Sequence, residues 1–459
     1  MLGLVQNWFT PTSNPIGVDF GTDTLRLAQV EPTENGEWHL VAAASADVPA
    51  TMRQDPTARL NFFAETVRDL LASGSFRGRR AVLSLPAASM FIQHIRMPKL
   101  DEEELKKALP WEARGKLPID PSHALLRHII AGEIYQEQEQ KNEVIVMAAS
   151  RELVNQLLGA AAKAKLDVVG MNVEPKALVD CFTQIYRRKT DVEQTSCYVD
   201  IGCLGTRAVI ARGAQVLFAR NIQVGGEHFN RAVANSLKIS LDDAKVLRIK
   251  LCAAQAQAAA QNAAGNAAAK QAAKPAARQA AKPAARPAAA PQEETLDQAF
   301  PLLGAAMNAS RKAAADAAGG TTVTKAPPAQ PRVAAPAPGD LGSDLQEQAR
   351  LVEQACAEPL AKLIEELDLC RRYHESTFTT KPVDRLVFVG GEARHRGLCQ
   401  QIARQLSLAA QVGDPLVRMA RNSDVGVESG IDRRQPQPSW AIAIGLSMGP
   451  VDGETEGKK

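Results

Sequence analysis

The sequence predicts an α/β protein whose two halves share one plan. Two stretches carry this prediction, GVDFGTDTLRLAQV at residues 17–30 and YVDIGCLGTRAVIA at residues 198–211. In each, an apolar run ends in an aspartate, a turn containing glycine follows, and an alternating run leads back, which is typical of two strands joined by a short turn. The third observation is the length of 459 residues. Single hydrophobic cores stop growing at roughly 250–300 residues, so we expect several subdomains.

The first half begins with three predicted strands and a helix. IGVD, TLRLAQVEP and EWHLVAAAS have strand patterns, and Asn35-Gly36 between the last two is a strong hairpin signal. Asp55 followed by Pro56 is typical of a helix N-terminus, and apolar residues then recur with helical spacing up to Gly74.

The next segment mixes strands with two helices. The predicted strands are RAVLSLP, SMFIQHIRMP, HALLRHIIAGE and EVIVMAAS. DEEELKKALPWEARGKLP is a predicted helix because its acidic start suits a helix N-terminus, although Pro110 should bend it. SRELVNQLLGAAAKAKL has helical periodicity and begins at Ser150 with a loose capping box.

The second half repeats the three-strand theme and is then interrupted. After the predicted helices EHFNRAVANSLKIS and LDDAKVLRIKL, the composition changes at about residue 252 to alanine, proline and regularly spaced basic residues. We expect an interrupted helix and then a disordered linker, because prolines interrupt the regular spacing of the basic residues. Order resumes at about residue 343 with a long helix, the strand and glycine turn DRLVFVGG, the helix GLCQQIARQLSL and the apolar helix SWAIAIGLSMG.

Composition and charge exclude several function classes. The net charge is +3, but residues 253–292 contain five basic and no acidic residues, so the remainder carries −2 and argues against a nucleic-acid-binding fold. Seven cysteines without a CxxC pair indicate reduced thiols rather than disulfides or a zinc site. The N-terminus lacks a signal-peptide pattern, and no run approaches the roughly 18 apolar residues of a membrane span. We therefore expect a cytoplasmic protein.

The two aspartate-bearing turns predict phosphate chemistry. Backbone amides in a turn of small residues bind phosphate oxygens, and the carboxylate holds a magnesium ion, usually through water. Two such turns facing each other across a cleft can hold one triphosphate, and a glycine pair after a later strand lets an adenosine approach the backbone closely. The candidates are Asp19, Gly21, Thr22, Asp200, Gly202, Thr206, Gly390 and Gly391.

Taken in order, these segments resemble the superfamily of actin, sugar kinases and Hsp70 ATPases. Residues 19–26 and 200–206 are similar to its two phosphate motifs, 389–398 to its adenosine motif, and 441–446 to its connecting helix. A closer resemblance is to the PilM family of type IV pilus assembly. It rests on AVLSLPAASMFIQHIRMPKLDEEELKKALPWEARGKLPI, where Trp111, Glu112 and Ala113 match the family pattern, and on NVEPKALVDCF, VGGEARHRGLCQQIARQL and AIAIGLS.

The resemblance implies an actin-like ATPase fold, with two duplicated, ribonuclease H-like halves around a nucleotide cleft and a small inserted α+β subdomain. It covers residues 16–250 and 345–449. The implied segments are an N-terminal tail (1–15), the first half (16–79 and 167–194), the inserted subdomain (80–166), the second half (195–250 and 343–449), the low-complexity insertion (251–342) and a C-terminal tail (450–459).

The resemblance also implies ATP and Mg²⁺ as ligands, with Asp19 and Asp200 holding the ion through water. Further nucleotide-binding positions are Arg26, Gly225, Gly226 and Glu392. Glu174 matches the position that orients an attacking water in some relatives, the alternative being an acid that only pairs with a helix dipole. Arg26 either meets a phosphate or is a solvated strand residue.

The implied function is a nucleotide-binding scaffold that recruits an inner-membrane PilN-like protein through its cytosolic N-terminal peptide. Phe91 and Ile95 are candidate walls of the peptide groove, although a core-facing strand would show the same alternation. Such a protein would lie at the cytoplasmic face of the inner membrane, and further pilus-assembly proteins are expected partners. The alternatives are a sugar or acid kinase on the same fold and an FtsA-like filament-forming protein.

Overall fold

The computed structural model describes residues 13–53, 55–136, 139–272, 343–379, 381–420 and 431–449. Most of the predicted low-complexity insertion, residues 273–342, lies outside the described residues, as do both chain ends. The strands are β1 (Ile16–Phe20), β2 (Thr24–Pro32), β3 (Trp38–Asp47), β4 (Arg80–Leu85), β5 (Met90–Pro98), β6 (Ala124–Gln136), β7 (Glu139–Ser150), β8 (Asp167–Val173), β9 (Thr195–Ile201), β10 (Thr206–Arg212), β11 (Gln215–Ile222), β12 (Arg385–Val389) and β13 (Ala409–Val412). The helices are α1 (Pro56–Ser73), α2 (Glu102–Ala113), α3 (Arg151–Lys163), α4 (Glu174–Thr183), α5 (Lys189–Glu193), α6 (Gly226–Leu237), α7 (Leu241–Ala272), α8 (Ser343–Thr377), α9 (Arg396–Leu406) and α10 (Ala441–Met448).

The chain forms two compact units. The first comprises residues 1–228, 362–393 and 412–459, and the second comprises 229–361 and 394–411. The described part of the second unit is mainly helical. Its buried residues include Phe229 and Leu251, and Arg248 lies over the Phe229 ring and donates a 2.6 Å hydrogen bond to Asn230.

The first unit contains both predicted three-strand repeats. One sheet has the order β3-β2-β1-β4-β8, with β1, β2 and β3 antiparallel and β4 parallel to β1. Within this unit, the strands of the other sheet run in the order β11-β10-β9-β12, with β9, β10 and β11 antiparallel and β12 parallel to β9. The two sheets therefore repeat one topology, and β1 and β9 are equivalent strands.

Local signals in the sequence correctly predicted several element ends. Gly36 adopts φ +73° in the β2–β3 connection, a conformation that suits glycine. The Asp55 carboxylate accepts hydrogen bonds from the amides of Thr57 and Ala58 and caps α1. The Ser150 hydroxyl accepts a hydrogen bond from the Leu153 amide at the start of α3.

The apolar helix α10 is buried in the core of the first unit. It packs against α4, β1 and β2. Two glycines permit this close approach, because a Cβ on Gly17 would overlap the Ala443 carbonyl and a Cβ on Gly445 would overlap the Ala177 carbonyl. Packing of α10 against α4 helps to fix the N-terminus of α4, where Glu174 lies.

A small antiparallel sheet, β5-β7-β6, follows β4 in the chain. One face joins the main core through residues such as Ile145 and Met147, and the other packs under α2 through Val144 and Val146. Because both faces are covered, β7 is buried almost continuously. Although the predicted inserted segment began at residue 80, β4 hydrogen-bonds to β1 and β8 and is part of the first sheet.

Among the described residues, no helix combines the length and the apolar character needed to cross a membrane.

Candidate functional site

The two predicted aspartates occupy equivalent positions in the duplicated sheets. Asp19 lies in β1 and Asp200 in β9, and both are buried. In each hairpin the residue paired with the aspartate is an arginine, Arg26 opposite Asp19 and Arg207 opposite Asp200. The two stretches, DFGTDTLR and DIGCLGTR, thus share the spacing D-x-G-x₄-R. The duplication therefore includes a cation as well as the acid and the glycine.

Arg207 is the centre of a buried cluster of charges. Its Nε and Nη2 lie 2.8 and 2.7 Å from Asp200 Oδ2, and its Nη1 donates a 2.7 Å hydrogen bond to Glu174 Oε2. Glu174 reaches this cluster from the N-terminus of α4. We call Asp19, Glu174, Asp200 and Arg207 the carboxylate–arginine cluster.

The electrostatics of the cluster reflect three buried acids that share one half-buried arginine. Burial raises the pKa of Glu174 to about 7 and that of Asp19 to about 6, although Arg207 acts against both shifts. Burial would lower the pKa of Arg207, but Asp200 and Glu174 outweigh that effect and raise it. The guanidinium therefore stays charged, and Glu174 and Asp19 are partly protonated near neutral pH.

Glycines close the turn beside Asp200. The Gly202 amide donates to the Gly205 carbonyl at 2.9 Å, and the Gly226 amide donates to the Gly202 carbonyl at 2.9 Å. A Cβ on Gly225 would lie 2.6 Å from the Gly202 and Cys203 carbonyl oxygens. A Cβ on Gly202 would lie 3.4 Å from Arg207 Nη2, so the guanidinium lies against this turn. Only glycine fits at position 225.

The predicted adenosine turn lies next to the same aspartate. Gly390 has φ +84°, and a Cβ there would overlap Asp200 Oδ1. A Cβ on Gly226 would overlap the Glu392 carboxylate, so Glu392 lies beside the start of α6. In contrast, no atom lies within 4 Å of the position that a Cβ on Gly391 would take, among the described residues. Gly391 therefore borders open space.

Arg59 of α1 connects the two aspartate-bearing turns. Its Nη2 donates to the Gly21 carbonyl at 3.4 Å, its guanidinium lies 4.8 Å from the centre of the Phe20 ring, and its charge interacts with Cys203 of the second turn. Burial lowers the pKa of Arg59. Its Nε is buried and has no hydrogen-bond acceptor among the described residues.

Some predicted ligand residues have other partners. The Thr206 hydroxyl donates a buried 2.7 Å hydrogen bond to the Val224 carbonyl, so it joins β10 to the segment before α6. Arg26 is half-buried and interacts electrostatically with Asp19. Thr22 is half-buried in the turn after β1. The structure thus brings Asp19, Glu174 and Asp200 together, while Thr206 has a structural role.

The donor set does not fit the predicted magnesium ion. A hydrated Mg²⁺ between Asp19 and Asp200 needs carboxylate oxygens that can accept hydrogen bonds from its waters. Asp200 Oδ2 already accepts from Arg207, and Asp200 Oδ1 lies against Gly390. A second cation there would also face the fixed guanidinium charge. Among the described residues, no cluster of three or more His, Cys, Asp or Glu side chains could hold a metal directly.

Of the two residues predicted to line a peptide groove, only Phe91 is exposed. Phe91 in β5 is 40% exposed, whereas Ile95 is 2% exposed and packs in the core beneath α2. The expectation that Ile95 faces a peptide is therefore not met, because α2 covers that end of the strand. Trp111, which matches the family pattern, is 72% exposed on α2, where Arg114 lies 5.0 Å from its ring centre.

Sequence reasoning missed Arg207 and Arg59. A signal for Arg207 was present, because the spacing that places Arg26 opposite Asp19 places Arg207 opposite Asp200. No comparable signal marks Arg59, since it lies on a helix distant in sequence from the second turn.

The duplicated sheets, the glycine turns and the buried helix α10 define the fold of the actin-like ATPases. Among solved structures, a PilM-PilN type IV pilus biogenesis complex matches with a TM-score of 0.62 at 20% identity, covering 96% of this chain and 100% of that chain. The ethanolamine utilization protein EutJ from Carboxydothermus hydrogenoformans matches with a TM-score of 0.43 at 12% identity, covering 96% and 90%. The activator of 2-hydroxyisocaproyl-CoA dehydratase from Clostridium difficile, with bound ADPNP, matches with a TM-score of 0.37 at 10% identity, covering 95% and 93%.

The model of the family described as type IV pilus assembly protein PilM matches residues 17–254. The chain belongs to this family. The comparison with curated proteins found no match to the chain.

Proposed function

We propose that the chain is a nucleotide-binding scaffold of type IV pilus assembly. In this role it recruits an inner-membrane PilN-like protein by binding that protein's cytosolic N-terminal peptide, and it works at the cytoplasmic face of the membrane. The family match over residues 17–254 carries the proposal, because this range spans both aspartate-bearing turns and the whole small sheet.

The geometry around Asp200 supports the nucleotide part of the proposal. Turns rich in glycine present backbone amides, and the exposed N–H groups of such turns bind phosphate. Arg59 Nε is an unused donor beside the first turn, and Arg207 lies against the second. Gly391 borders open space and follows Gly390, which lies against Asp200, and such a space suits a flat adenine base.

Gly391 offers a direct test of nucleotide binding. We expect Gly391→Leu to weaken ATP binding at least about tenfold, roughly 1.4 kcal/mol, because the added side chain extends into the proposed adenosine position, where a Cβ meets no atom of the described residues. Isothermal titration calorimetry with ATP measures this. Gly159→Leu is the matched control, since a Cβ at position 159 in α3 also meets nothing within 4 Å among the described residues. Unchanged affinity in Gly391→Leu, or no ATP binding by the unmodified chain, would contradict the nucleotide assignment.

The small sheet is the proposed docking element for the partner peptide. β5 is an edge strand of this sheet, and Phe91 is exposed at its N-terminal end. The Asn221 side chain donates to the Met90 carbonyl, so the beginning of this edge is already occupied. We therefore infer that the peptide is held by apolar contact with Phe91 more than by added strand pairing.

We expect Phe91→Ser to weaken binding of the partner's cytosolic N-terminal peptide at least about tenfold, because hot-spot aromatic side chains carry much of the energy of such interfaces. Leu158→Ser on α3 is the matched control, as Leu158 is 38% exposed and Phe91 is 40% exposed. Fluorescence anisotropy with a labelled peptide gives both affinities. Equal binding by both variants would place the peptide site elsewhere. Deleting residues 80–166 would not be a suitable test, because the deletion removes β4 from the first sheet.

A further inference from the structure

We propose that Arg207 takes the place of a divalent metal ion in this site, so that the chain binds an anionic nucleotide without Mg²⁺. The nucleotide part of this inference rests on the proposed function, whereas the exclusion of the metal does not. Three observations carry it: the contacts of Arg207, its position against the glycine turn, and the additional arginines nearby.

The contacts of Arg207 are those that a metal ion would make. One cation joins Asp200 and Glu174, carboxylates contributed by β9 and α4, at distances of 2.7–2.8 Å. A hydrated ion would connect the same groups through its waters. Arg207 is a residue of β10, and its guanidinium already donates a hydrogen bond to Asp200 Oδ2. A metal ion that binds Asp200 Oδ2 must therefore displace the guanidinium.

The position of Arg207 lets it serve a phosphate as well. Its Nη2 lies against Gly202, in the glycine turn that follows Asp200. A guanidinium has five N–H donors in a planar fork that matches phosphate oxygens. It can therefore hold the two carboxylates on one side and a phosphate on the other.

Further arginines supply the charge that a metal usually provides. Arg26 faces Asp19 across the first hairpin, and Arg59 has an unused buried Nε beside Gly21. A triphosphate therefore meets several fixed guanidinium groups.

The test compares ATP binding in EDTA and in Mg²⁺, and it measures binding of Mn²⁺ alone by electron paramagnetic resonance. For the unmodified chain we expect ATP affinities within about threefold of each other in the two buffers. We also expect the Mn²⁺ signal to be unchanged by Asp19→Asn. An ATP affinity at least about tenfold higher in Mg²⁺, or Mn²⁺ binding that Asp19→Asn abolishes, would overturn the inference.

The double variant Glu174→Gln/Arg207→Ser removes Arg207 together with one buried acid, and Glu174→Gln is its matched control because it retains Arg207. We expect the double variant to bind Mn²⁺ and to need Mg²⁺ for ATP, whereas Glu174→Gln, which retains Arg207, should gain neither property. A folded double variant without this gain counts against the inference. If the double variant does not fold, the two measurements on the unmodified chain decide. Absence of ATP binding in every buffer would overturn the nucleotide assignment. The Mn²⁺ measurement would still test whether the site excludes a divalent metal ion.

Discussion

Replacing Arg207 with methionine is expected to lower the free energy of unfolding by about 3–5 kcal/mol, since removing one partner of a buried ion pair leaves the other charges uncompensated. Methionine has a similar length and retains part of the packing, so the loss reports mainly on charge. Asp200 and Glu174 would lose their shared donor, and Asp19 would lose one of the two arginine charges that favour its ionised form.

Chemical denaturation of the variant and the unmodified chain measures this difference. Arg68→Met is the matched control, because Arg68 is an exposed arginine of α1 and such surface changes are usually worth within about 0.5 kcal/mol. A loss in Arg207→Met no larger than that of the control would show that the cluster contributes little to stability. Glu174→Gln/Arg207→Met should recover part of the loss, because it removes one uncompensated acid.

Glu174→Gln is expected to stabilise the chain above neutral pH and to have little effect at acidic pH. The unfolded carboxyl ionises near its usual pKa of 4.5, whereas burial raises the pKa in the folded chain to about 7. Between these values the folded chain holds a proton that the unfolded chain has released. The stability of the unmodified chain therefore falls as the pH rises through this range. Above the pKa of Glu174 in the folded chain, the free energy of unfolding is lowered by the full cost of ionising the buried carboxyl.

The size of the effect follows from the two pKa values. Each unit between them corresponds to about 1.4 kcal/mol, so the cost of ionising Glu174 in the folded chain approaches about 3 kcal/mol above pH 7. Glutamine keeps an oxygen that accepts from Arg207 and carries no charge. Asp19 and Asp200 still face Arg207 in the variant, and Asp19 retains its own dependence on pH.

Denaturation of both chains at about pH 4.5 and about pH 8 tests the sign. The stability of the variant should exceed that of the unmodified chain at the higher pH, and the two should converge at the lower pH. A variant that is less stable at the higher pH would show that the Glu174–Arg207 ion pair is worth more than the burial of the charge costs. Glu152→Gln, an exposed acid in the first turn of α3, is the control for a carboxylate with no such burial.

Local patterns in the sequence determined the elements and their duplication. The alternation of apolar residues, the glycine at position 36 and the capping residues Asp55 and Ser150 act over a few residues, so these predictions needed no tertiary context. The two aspartate-bearing turns were predicted for the same reason, because an apolar strand that ends in acid and glycine is a local signal. The family resemblance then supplied the order of the segments.

Only the tertiary structure decided which groups share the site and what each of them contacts. Glu174 and Arg207 are 33 residues apart in sequence and meet because α4 packs against β10 and begins beside Arg207. Thr206 and Ile95 fit the patterns of a phosphate ligand and a groove wall, but their partners are the Val224 carbonyl and the core beneath α2. A sequence pattern specifies which face of a strand a side chain occupies. What covers that face depends on contacts between distant segments. These contacts determine how deeply each acid is buried, which affects its ionisation, and which cation lies beside it.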